Sequence, residues 1–181
     1  MIELEKISVK QYVELEDRAE YDFAIKYATI FTNQDDEYGI GDVMELSFGF
    51  VKDFQYDLET GMSFEKLVGY VEKLTKKKIG KEPLDKFIRF TNYLIESIKQ
   101  IIEIESKTLA YDPTEREEMA GIGKFEGLGV YLQIRSLTKG DLTKYEPIRN
   151  MSYSLCFTEM YTAKQISDYE KELTKLRERN G

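Results

Sequence analysis

The chain has 181 residues, 41% apolar and 33% charged, with 13 Tyr, 10 Phe, no Trp and a formal net charge of −8. That balance supports a packed core and argues against general disorder, while the negative charge repels phosphate backbones and argues against a nucleic-acid partner. Histidine is absent, which excludes His-based general acid–base chemistry, His–metal sites and Ser–His or Cys–His nucleophilic pairs.

From the N-terminus, Ile2 and Leu4 alternate with Glu3 and Glu5, a period-2 pattern that predicts an extended arm or short strand over residues 1–7. Ser8, with Gln11 three residues on, has the spacing of a capping box for a helix through Val13 and Leu15. A second helix is predicted over 18–32, with Tyr21, Ile25, Ala28 and Phe31 or Thr32 on one face. The acidic segment from Asn33 to Gly41 reads as a loop, and Asp42 as the cap of a helix over 43–58 that holds Val43, Leu46, Phe50, Phe54 and Leu58. Gly49 weakens that helix by about 1 kcal/mol relative to Ala.

Gly61 and Ser63 separate it from a helix whose stripe is Phe64, Leu67, Val68, Val71 and Leu74 and whose end is Lys76-Lys77-Lys78, cations suited to the negative pole of a helix. Pro83 then opens the strongest helical period in the chain, from Leu84 to about Leu109. Asp112-Pro113-Thr114 starts a short helix that Gly121 ends. The segment from Val130 to Leu137 is ambiguous between strand and helix, Pro147 bounds another short helix, and Ser152 precedes a last helix over 153–179. The face of that last helix is predicted to be Phe157, Met160 or Tyr161, Tyr169, Leu173 and Leu176. The expected fold is all-α: one domain, 1–181, with seven or eight helices around one core and no internal repeat.

Few residues suggest chemistry. Asp35-Asp36-Glu37 lacks the spaced ligands of a calcium loop and reads as solvated. The Gly39–Gly41 and Gly121–Gly123 pairs complete neither a dinucleotide-binding nor a phosphate-loop motif. Cys156, the single cysteine, lies between Leu155 and Phe157 and reads as a buried, inert thiol in a protein of a reducing compartment. No catalytic residue, cofactor site or metal site is expected, and no segment is apolar enough to span a membrane. The partner-binding candidates are Ile2 and Leu4, by addition of the arm to a sheet edge, and the positive spot Lys76, Lys77 and Lys78, for which an ordinary solvated helix end is the favoured explanation.

The opening Lys6-Ile7-Ser8-Val9-Lys10-Gln11-Tyr12 resembles the start of small tailed-phage tail assembly chaperones. Ala120-Gly121-Ile122 with Phe125 and Gly129, then Leu137 to Asp141, then Met151-Ser152-Tyr153 and the charged terminal helix, are similar to their second half. The resemblance implies a non-enzymatic helical phage protein acting in virion assembly, in the host cytoplasm and in the particle if retained. Its partners would be other virion proteins, with multiple copies in a symmetric assembly, and it carries over no catalytic residue. The alternatives are an acidic, host-directed regulatory protein and, less favoured, a carboxylate- and metal-dependent enzyme centred on Asp35, Asp36 and Glu37.

Overall fold

A computed structural model describes residues 3–22, 24–25, 36–111, 113–125 and 128–179, with side chains to 177. The chain is all-α, and the described residues contain no strand. The helices are α1 (Val9–Val13), α2 (Phe48–Thr60), α3 (Phe64–Thr75), α4 (Leu84–Thr108), α5 (Glu115–Met119), α6 (Gly129–Thr138), α7 (Tyr145–Asn150) and α8 (Tyr153–Arg179). Residues 19–22 and 24–25 are also helical. The chain divides into two compact units, residues 1–43 with 54–100 and residues 44–53 with 101–181.

Local chemistry sets most helix ends. Ser8 and Thr114 each close a capping box, with Gln11 and Glu117 respectively, and the Ser63 hydroxyl accepts from the Lys66 amide at 3.2 Å, so first-turn amides that have no helical acceptor are satisfied. α3 ends at Lys76, which takes the left-handed conformation (φ 55°) usually left to glycine. The ambiguous stretch around Val130 is helical, and Ile134 lies in the core.

The period-2 reading of residues 1–7 is corrected. Leu4–Lys6 wind into a 3-10 turn, and Ile7 is buried in the core of the first unit with Val9, Tyr12, Val71, Ile79, Leu84, Phe87, Ile88 and Phe90. Alternation over so few residues does not distinguish a strand from a turn that tucks two apolar side chains against one core. The helix expected over 43–58 is likewise displaced: Val43–Glu45 form a 3-10 turn, Ser47 accepts from the Phe50 amide at 3.3 Å, and α2 begins at Phe48.

The reason for these turns is a motif that sequence inspection missed. In the first unit the starts of α1 and α4 pair through an isolated antiparallel bridge, Ser8 to Pro83, in which the Val9 amide donates to the Glu82 carbonyl (3.0 Å) and the Leu84 amide to the Ile7 carbonyl (2.8 Å). The second unit repeats this arrangement. Ser47 bridges Ser152, the Phe48 amide donates to the Met151 carbonyl (2.7 Å), and the Tyr153 amide to the Leu46 carbonyl (2.8 Å). Each helix start follows one pattern: an apolar residue four before the cap (Leu4, Val43, Ile79, Ile148), a Ser or Pro at the cap, and a buried apolar residue next (Val9, Phe48, Leu84, Tyr153). The expectation of no internal repeat is therefore overturned at the level of this helix-start clasp. A six-residue pattern with three variable positions gives too little identity to stand out in a sequence.

In the second unit, Phe48, Val51, Ile101, Ile134, Tyr153 and Cys156 are buried. Gly49 lets α2 approach α7 closely: a Cβ there would lie 3.1 Å from the Arg149 carbonyl oxygen, while Arg149 pairs with Asp53 at 2.7 Å. Phe48, Tyr153, Phe157 and Tyr161 stack in sequence with centroid separations of 6.0, 6.1 and 6.4 Å, the last three at i, i+4 spacing along one side of α8.

Candidate interaction surface

The residues singled out from sequence have been drawn into the fold to different degrees. Ile2 lies outside the described residues. Leu4 packs against the core of the first unit, and the backbone around Ile7 is already bridged to its own chain, so the proposed arm is not a free strand. Lys76, Lys77 and Lys78 are all exposed. Lys76 caps α3, and Lys78 folds back onto Glu72 at 2.6 Å. That hydrogen bond, with one from the Ile79 amide, holds the Glu72 carboxyl below its usual range. The lysine run is thus organised as a helix stop with outward cations.

The acidic loop is structural where it is described; Asp35 lies outside the described residues. The two carboxylate oxygens of Asp36 accept from the Ile40 and Gly41 amides at 2.9 and 2.8 Å, closing a turn in which Gly39 and Gly41 take positive φ. Glu37 pairs with Arg89 at 2.7 Å. Among the described residues no group of three metal-ligating side chains converges. Cys156 is buried, and burial pushes its thiol pKa upward, which disfavours the reactive thiolate.

One groove of about 560 Å³ runs along α8 in the second unit, walled by Leu109, Tyr111, Leu132, Met160 and Lys171. Lys171 lies over the Tyr111 ring at 4.6 Å, and the Tyr111 hydroxyl donates to Glu117. That bond, with those from the Thr114 amide and hydroxyl, brings the Glu117 carboxyl down to about 2. Tyr111, Glu117 and Lys171 thus satisfy one another at the groove wall.

Exposed apolar surface is unevenly distributed. Among the described residues, every large apolar side chain left exposed belongs to the second unit, Tyr56 apart. One part follows the chain from α5 to the turn after α6: Met119 (88% exposed), Phe125, Leu128, Tyr131 and Leu142 (72%). A second part lies on α8. The prediction that Tyr169 and Leu176 belong to a core-facing stripe is corrected: they are 65% and 52% exposed, whereas Tyr153 is buried and Phe157 half-buried, and the ring ladder runs outward to an exposed Tyr161. Periodicity marks an apolar face without saying what covers it. Within the described residues, no helix is long and apolar enough to cross a membrane. Comparisons with protein-family models, curated proteins and solved structures returned no match.

Proposed function

We propose that the protein acts without catalysis, by binding other proteins during assembly of a tailed-phage virion, as an assembly chaperone or as a structural component. The observation that carries the binding reading is the exposed apolar run Met119, Phe125, Leu128, Tyr131 and Leu142. Large apolar side chains left exposed on a highly charged protein favour contact with another protein, because covering them removes their cost in water. The virion setting is supported by the resemblance of residues 6–12 and 120–153 to tail assembly chaperones. On this reading the protein works in the host cytoplasm, with other virion proteins as partners and neither nucleic acid nor membrane.

The test is co-expression with the structural proteins encoded beside it, followed by size-exclusion chromatography. A stable complex is expected, and Met119→Glu with Leu142→Glu should abolish it while the far-ultraviolet circular dichroism stays unchanged. A complex indifferent to both substitutions would remove the surface assignment, and the absence of any complex would remove the virion setting.

A further inference from the structure

The distal half of α8 carries apolar residues with no cover inside the second unit. Ile166, Tyr169 and Leu176 are 54%, 65% and 52% exposed, and Leu173 is half-buried between them. Their spacings of three, four and three residues form a heptad seam, with Ile166 and Leu173 at a and Tyr169 and Leu176 at d. The seam is on the opposite side of the helix from Lys164, Asp168 and Lys171, which line the groove against Tyr111. Most of the 27-residue helix beyond Tyr161 therefore stands with one side held and the other bare.

We infer that this seam is a self-association surface, on which α8 pairs in parallel and in register with α8 of a second copy. Charge selects this occupant and orientation. In a parallel pair the residues flanking the seam meet as g with the following e of the other helix. Glu172 then faces Arg177 of the second copy, twice by symmetry, and Gln165 faces Glu170. An antiparallel pair would set Glu170 against Glu170 and Glu172 against Glu172, like charges at close range. The chain carries a net charge of −8, but the seam-flanking residues Gln165, Glu170, Glu172 and Arg177 together carry only −1 of it, so the pairing segment is not where most of the repulsion lies.

This pairing uses a different surface and a different partner from the assembly reading, and it fails separately: a monomeric chain that still forms the co-expressed complex would refute only the pairing. The experiment is sedimentation equilibrium of the full chain across a wide concentration range. The weight-average mass should rise from 21.2 kDa toward twice that value, and Leu173→Glu should hold it at the monomer mass with unchanged helicity. Glu172→Lys should weaken association several-fold, and adding Arg177→Glu should restore it, which a merely structural role would not do. Under oxidising conditions Leu173→Cys should give a cross-linked dimer that the parent chain, with Cys156 buried, does not give. A single monomer mass at every concentration would overturn the inference. So would efficient cross-linking of Ile166→Cys to Leu176→Cys in place of the residue 173 cross-link, since that pattern requires antiparallel helices.

Discussion

Lys52 and Glu105 form an ion pair inside the second unit, their side chains only 3% and 15% exposed, with the lysine nitrogen 5.6 Å from the ring centres of both Phe48 and Tyr153. Two charges withdrawn from water are tolerated there because each offsets the other's desolvation. Burial first, and the Glu105 charge second, also push the Tyr153 hydroxyl well above the usual tyrosine range. Glu105→Gln leaves Lys52 charged beside two rings, so it should lower stability by about 3–5 kcal/mol. The double change Lys52→Met with Glu105→Leu should recover most of the loss. Urea unfolding measures both, and a loss below about 1 kcal/mol for the single change would show that water reaches the pair.

The paired helix starts have a signature in hydrogen exchange. First-turn amides of a helix ordinarily lack a protein acceptor and exchange quickly. The amides of Val9, Leu84, Phe48 and Tyr153 instead donate across the two clasps at 2.7–3.0 Å. They should exchange as slowly as mid-helix amides of α4. Rapid exchange at these four positions would mean that the bridges open freely in solution.

Gly49→Ala should destabilise the protein even though alanine is the better helix former by about 1 kcal/mol. The added methyl meets the Arg149 carbonyl oxygen at 3.1 Å, a backbone atom that moves only if α7 moves. Overpacking of that kind costs about 1–3 kcal/mol, so a net loss is expected as a lower midpoint of thermal unfolding. A gain in stability would rule out the close approach of α2 and α7.

Two windows of pH sensitivity follow from the shifted groups. Glu117 falls to about 2 in the folded protein, below the unfolded value of about 4.3. Its contribution is therefore complete above the unfolded value and is lost as pH falls from there through 2. Burial raises Tyr12 and Tyr38 to about 12, aided by Asp22 at Tyr12 and by Glu82 and Glu37 at Tyr38. Their contribution is complete below pH 10 and is lost as pH rises from 10 through 12. Carboxyl chemical shifts should show Glu117 titrating near 2, and ultraviolet phenolate absorbance should show Tyr12 and Tyr38 ionising near 12. A Glu117 midpoint above 4, or uniform tyrosine titration at 10, would contradict the respective assignments.

Much of the fold was legible because helix signals are local. Ser8 with Gln11, Ser63, Thr114 with Glu117, and the stripes of α3 and α4 each rely on residues within one or two turns of each other, so spacing alone places them. The displaced start of α2 and the 3-10 turn at Leu4–Lys6 were not legible, because both are set by amide–carbonyl exchange with segments distant in sequence. The exposed candidates divided on the same principle. Lys76 to Lys78 could be placed at a helix end from sequence, but that Lys78 folds back onto Glu72 depends on a turn of backbone that no periodicity encodes.

The amino-acid sequence by itself determined the all-α class, the absence of histidine chemistry and the positions of the main helices, since composition and helical period act through neighbouring residues. Only the tertiary structure decided that two distant pairs of helix starts are clasped by the same exchange of hydrogen bonds and that Lys52 is buried against Glu105. It also decided that the apolar face of distal α8 is left open. Backbone pairing and burial depend on which segments meet in space, and the same apolar stripe can line a core or stand exposed according to what packs beside it.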